Sequence, residues 1–186
     1  MPSSEGRASA SDIGYVAERL VEAYAVAGSG WRLGSFRPGV DADHKDMVVD
    51  ERGGFRSLYV QVKSATHPDR EGRVVAFADY PEAAVPESPR LVYVVGLLSV
   101  ATIELARIWV VPSADFNRLA YRQHKAREPG RVVLQFSSRL DGDSVWDRFV
   151  VGRLELGPRL LELVRASPAD ASLDRDAGLT MYERRG

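Results

Sequence analysis

The sequence predicts an α/β fold of the α+β kind, a mixed central β-sheet flanked by helices, on three observations. A helical apolar stripe crosses residues 13–24, short strand-like runs fill 31–111, and a Pro-led amphipathic segment closes at 158–166. Helix, strands, helix, strand and helix in that order, with no internal repeat, suit a sheet layered with helices.

Each element has its own signal. Residues 1–10 (MPSSEGRASA) are small and polar and read as a disordered leader. Ser11 or Asp12 then caps a helix in which Ile13, Val16, Ala17, Leu20, Val21 and Tyr24 share one face, up to Gly28-Ser29-Gly30. Trp31 to Phe36 reads as a strand and Pro38-Gly39 as a turn. Asp46 to Asp50 is a short strand, joined through a Glu51–Gly54 hairpin to the β-rich Ser57 to Ser64. Arg73 to Ala78 is a further strand, and the three prolines between Tyr80 and Arg90 predict a loop or a short helix between breakers.

Leu91 to Leu98 and Ala106 to Val111 are apolar enough for buried strands. Ser113 is the expected cap of a helix running to about Lys125, and Arg131 to Ser137 is a late strand. Asp141-Gly142-Asp143 marks a turn, and Trp146 to Val150 fits either strand or helix. Pro158 to Ala166 is the last helix, with Pro in its first turn. The expected organisation is one domain over 11–166 with a flexible tail over 167–186.

Hydrophobic content of 45% and charged content of 27% lie in the globular range. There is no Cys, which excludes disulfides and thiolate metal sites. No apolar run approaches the roughly 18 residues of a membrane span, and the start is polar rather than signal-like. The expectation is a soluble, cytoplasmic protein with no membrane partner. The net charge of −1 leaves no global basic excess, so any nucleic-acid contact has to rest on a local patch.

Chemistry concentrates between Asp41 and Lys63 (DADHKDMVVDERGGFRSLYVQVK). Alternation along a strand places Tyr59, Gln61 and Lys63 on one face and Leu58, Val60 and Val62 on the other. A Lys within an apolar strand needs a partner or a purpose. The hairpin would bring Asp46 toward Gln61 and Lys63. A carboxylate with an amide or backbone oxygen can hold Mg²⁺, and a neighbouring ammonium can position water or stabilise phosphate charge. On spacing alone, the competing reading is a polar sheet face with an Asp–Lys cross-strand pair.

This arrangement resembles the PD-(D/E)xK, or restriction-endonuclease-like, nuclease superfamily over roughly residues 12–125. Glu18 in IGYVAERLV would be the acidic helix residue, Asp46 the strand-opening Asp, and Gln61-Val62-Lys63 the (D/E)-x-K motif. RIWVVPSADF is similar to the strand and helix that follow the core in bacterial members. Gln61 replaces the usual acid, as in some active members, and Lys45 stands where the motif has Pro. Asp41 and Asp43 compete with Asp46, which is favoured because it abuts the apolar strand. Glu18 fits a solvated helix carboxylate equally well.

The resemblance implies a restriction-endonuclease-like core and a Mg²⁺- or Mn²⁺-dependent DNA endonuclease of bacterial defence or repair. Asp46 and Gln61 would hold the metal, Glu18 would assist, and Lys63 would act on the water or the transition state. A homodimer or larger complex is the family expectation. Rival readings are a weak or inactive module binding DNA or protein in a larger assembly, and a structural protein without a nucleic-acid role. Arg118, Arg122 and Lys125, at i, i+4 and i+7 of the expected helix, could meet DNA phosphates or form a solvated basic face. His44 and His67 read as loop residues, and Trp31, Trp109 and Trp146 as packing anchors.

Overall fold

The computed structural model of the protein describes residues 9–38 and 45–168. Helix α1 spans Ala10–Gly28. Its cap is Ser9 rather than Ser11 or Asp12. The Ser9 hydroxyl accepts the Asp12 N–H at 3.1 Å, and the Asp12 carboxylate accepts the Ser9 N–H at 2.9 Å. Asp12 is thus the third helical residue of a capping box, which starts the helix earlier than its apolar stripe suggests. Most of the expected leader lies outside the described residues, as do Gly39, Asp41, Asp43, His44 and most of the expected tail. Ser167, assigned to that tail, instead caps the last helix through N–H bonds to Leu163 and Val164.

The strands are β1 (Leu33–Phe36), β2 (Met47–Glu51), β3 (Ser57–Ala65), β4 (Arg73–Pro81), β5 (Leu91–Ser99) and β6 (Glu104–Pro112). Helix α2 (Ser113–Leu119), β7 (Tyr121–His124), β8 (Arg131–Arg139), the two-residue β9 (Val150–Val151) and α3 (Leu156–Ala166) complete the chain. A six-stranded mixed sheet has the order β1-β2-β3-β5-β6-β9, and a three-stranded sheet the order β4-β8-β7. Among the described residues only the β3–β5 pair is parallel. Parallel neighbours need a crossover. Here β4 supplies it by leaving the large sheet for the small one before β5 returns.

Three layers result. Leu58, Val60 and Val62 of β3, with Val92, Val94, Ile108 and Val110, meet α1 and α3 on one face of the large sheet. Tyr93, Val95, Trp109 and Val111 meet Leu134 and Phe136 of the small sheet on the other. Residues 91–95 are therefore buried on both faces, which explains the unbroken apolar run in β5. Each such side chain contributes about 1.5–3 kcal/mol on burial. Gly157 sets how closely α3 approaches α1: a Cβ there would lie 2.2 Å from the Ser29 nitrogen.

The hairpin between β2 and β3 forms as expected, with Gly53 at φ +79 and Met47 opposite Val60. Three expectations fail. Tyr80 and Pro81 belong to β4, because they pair with Val132 and Arg131 of β8. The helix expected to reach Lys125 stops at Leu119, and Tyr121–His124 pair with β8 as β7. Ser113 does not cap α2. Its buried hydroxyl donates to the Ser88 carbonyl at 2.8 Å and accepts the Ser88 N–H at 2.9 Å, latching the proline-rich loop onto α2.

Candidate functional site

The β2–β3 ladder ends at Met47 and Val60, while β3 continues beside β5 as far as Ala65. Among the described residues, Asp46 is what meets the β3 edge beyond that point. Its N–H donates to the Val60 carbonyl at 3.1 Å, and its carboxylate Oδ2 accepts the Val62 N–H at 2.6 Å. The side chain thus replaces the next backbone rung. A strand residue directs its N–H and C=O to the same side, so the Val62 carbonyl faces this edge too.

Strand alternation turns Gln61 and Lys63 toward the small sheet, away from α1. Gln61 is buried, at 2% exposure, and its Oε1 accepts a hydrogen bond from the Tyr80 hydroxyl of β4. Tyr80 meets the Tyr93 hydroxyl of β5 at 2.8 Å. Burial pushes both phenols above their ordinary pKa, and for Tyr80 the nearby Asp46 charge adds to that shift. Both stay protonated at neutral pH. Lys63 is half-buried and makes no ion pair among the described residues. Gln61 and Lys63 share one face of β3, and the Asp46 carboxylate is fastened at the β3 edge on Val62, the residue between them, where β2 leaves β3.

Glu18 is placed differently. It lies on α1, which packs on the opposite face of the large sheet, and Arg37, just beyond β1, holds its carboxylate at 2.6 Å. Glu22, one turn along α1, accepts the Ser35 hydroxyl at 2.7 Å and lies 3.6 Å from Arg37.

A cleft of about 450 Å³ is lined by Lys45, the chain neighbour of Asp46, with Tyr59, Pro81, Pro86 and Ser88. The Lys45 ammonium stands 4.5 Å from the centre of the Tyr59 ring, a cation–π contact at its mouth. His67 follows β3 and lines a different cleft with Ser64, Thr66 and Asp69, as its expected loop position implies.

The basic group expected on one helix is divided. Arg118 lies on α2 and Arg122 on β7, yet both line a cleft of about 420 Å³ with Glu87 and Asn117. Lys125 lies beyond β7, held by Asp79 at 2.5 Å and Glu128 at 3.2 Å. Pairing of β7 with β8 overrode the helical spacing, so the three never share a helix face.

Sequence reasoning did not single out Tyr80 or Tyr93. Both carried a signal. Val74, Ala76, Ala78 and Tyr80 alternate as a buried strand face, and Tyr93 is a hydroxyl inside an apolar strand that has to find a partner.

The donors suit a hard cation. The Asp46 carboxylate, the Gln61 Oε1 (which keeps one lone pair after Tyr80) and the Val62 carbonyl are all oxygens. No group of three or more His, Cys, Asp or Glu converges as a metal cage among the described residues. Among the described residues a cation here would rest on one carboxylate, neutral oxygens and retained waters, as Mg²⁺ and Mn²⁺ accept.

The fold has a solved counterpart. It matches the solved structure of a bacterial homing endonuclease, I-Ssp6803I, with a TM-score of 0.56 and 17% identity, over 86% of this chain and 96% of that one. No protein-family model matches the sequence, and no curated protein matches it. Among the described residues no helix is long and apolar enough to cross a membrane.

Proposed function

We propose that this protein is a Mg²⁺- or Mn²⁺-dependent DNA endonuclease of the PD-(D/E)xK type, in a Gln-x-Lys variant. The observation that carries this reading is the Asp46 carboxylate fastened to Val62 on the open β3 edge, between Gln61 and Lys63 of the motif. The likeness in fold to a solved endonuclease supports DNA as the substrate class.

Asp46 and Gln61, with the Val62 carbonyl, would hold the cation. When bound, it supplies a more acidic water and a polarised phosphate. The Lys63 ammonium lies on the same strand face and stabilises the charge that builds on the phosphate oxygens, or orients the water that attacks. The Lys45–Tyr59 cleft gives the scissile strand an approach beside Asp46. Glu18, held by Arg37, stands outside this set until that ion pair opens.

A cleavage assay on supercoiled, linear and branched DNA, with Mg²⁺, Mn²⁺ or EDTA, tests the reading. Metal-dependent cutting by the wild type that disappears in Lys63→Ala supports it. DNA binding without cutting under any metal would favour a binding module instead. The single carboxylate that the described residues bring to the site is the feature that such a module would explain.

A further inference from the structure

We propose that Tyr80 and Tyr93 are positioning residues that fix which end of the Gln61 amide faces the divalent cation. This rests on reading Asp46 and Gln61 as a metal site. A carboxylate presents an oxygen whichever way it rotates. An amide does not: a half-turn about its last torsion replaces Oε1 by an NH₂ group, which repels a cation. A site using Gln in place of an acid therefore needs something to hold the amide oxygen in place.

The tyrosines meet that need. The Tyr80 hydroxyl bonds Gln61 Oε1, but a phenol alone could equally accept from the amide NH₂. Tyr93 biases that choice by leaving the Tyr80 O–H in need of an acceptor. It is fully buried, its ring stacks on Phe116 at 3.9 Å, and its hydroxyl meets Tyr80 at 2.8 Å. A buried O–H left without an acceptor is costly, so Tyr93 donates to Tyr80. Tyr80, having accepted, donates onward. The favoured direction of the chain is Tyr93 to Tyr80 to Gln61, and Oε1 becomes the amide atom held in place with one lone pair to spare.

Mn²⁺ binding to the full-length protein, read from water-proton relaxation without DNA or turnover, tests this. Tyr80→Phe should weaken binding about 10-fold or more, the scale of losing an outer partner of a metal ligand. Because that variant orphans the Tyr93 hydroxyl, Tyr80→Phe with Tyr93→Phe is measured beside it. Removing both hydroxyls leaves no buried donor unpaired, and binding should remain weak. In a Gln61→Glu background, Tyr80→Phe should change binding by less than about twofold, since a carboxylate has no wrong orientation.

Unchanged binding in Tyr80→Phe, or an equal loss in the Gln61→Glu background, overturns the positioning role and leaves the metal site standing. Absence of Asp46-dependent Mn²⁺ binding in the wild type overturns the metal site and this role with it.

Discussion

The Asp46 carboxylate accepts the Val62 N–H at 2.6 Å, so a side chain continues the ladder that the β2 backbone abandons. That bond explains how a residue outside any strand is held beside Gln61 and Lys63. It also separates two roles of one carboxylate. Asp46→Asn keeps an acceptor for Val62 and removes the charge, so folding should survive while Mn²⁺ binding and cleavage are lost. Asp46→Ala also orphans the Val62 N–H and should cost a further 1.5–3 kcal/mol or about that. Urea denaturation and Mn²⁺ binding on both variants check this, and cleavage by Asp46→Asn at the wild-type rate would refute it.

Lys63 should behave in the opposite way. Lys63 is half-buried and has no ion-pair partner among the described residues, so removing its charge breaks no ion pair. Lys63→Met keeps the apolar stem. We expect the melting temperature to hold or rise, Mn²⁺ binding to persist, and single-turnover cleavage to fall by about 10²–10³. A clear loss of stability would make Lys63 a structural residue instead.

What was legible in the sequence depended on how local its causes were. The α1 stripe, the β2–β3 hairpin and the shared face of Gln61 and Lys63 follow from periodicity within a few residues. The Tyr80–Gln61 bond joins strands of different sheets, and nothing near Tyr80 in the chain announces it. Ser113 has the position of a cap, yet it bonds to Ser88 because the proline loop folds back over it. The i, i+4, i+7 basic spacing was real in sequence. It lost to hydrogen bonds that residues 121–124 make with a strand ten residues further on.

The division of that basic group gives a prediction about DNA binding. Arg118, ion-paired with Asp115 on its own helix, and Arg122 line one cleft, whereas Lys125 is held between Asp79 and Glu128. Removing both arginines should lower the slope of log affinity against log salt by about 1–2, the loss of one or two phosphate contacts. Lys125→Ala should leave the slope unchanged. Fluorescence anisotropy across a salt series distinguishes them, and a slope sensitive only to Lys125 would reverse the assignment.

Close packing of the two helices makes Gly157 irreplaceable on steric grounds. A Cβ would meet the Ser29 nitrogen at 2.2 Å and the Gly28 carbonyl carbon at 2.5 Å, both backbone atoms that no rotamer change can clear. Gly157→Ala should destabilise by about 1–3 kcal/mol or more, the scale of overpacking. With about 2–4 °C lost per kcal/mol in a domain of this size, a thermal melt resolves it easily. Gly14→Ala, where nothing lies within 4 Å of the added carbon, is the control. That variant should be neutral or slightly stabilising, because alanine favours the helix.

The two buried phenols also predict an alkaline limit. Folding raises the pKa of both Tyr80 and Tyr93 above the ordinary value of 10.0, chiefly by burial. Below about pH 10 both are protonated, folded or unfolded, and their contribution is fully present. Above it the unfolded chain releases protons that the folded chain keeps. The unfolded state then binds fewer protons, and stability falls as pH rises toward the folded values. Tyr80→Phe with Tyr93→Phe should flatten this limb relative to wild type, while lowering stability between pH 6 and 8 by about 1–3 kcal/mol for the unpaired Gln61 oxygen. Urea midpoints from pH 7 to 11, with tyrosinate absorbance followed in parallel, make the comparison. Equal alkaline limbs in the two proteins would mean that these hydroxyls ionise in the folded state as readily as in the unfolded one. The chain of donors running from Tyr93 to Gln61 would then lose its physical basis.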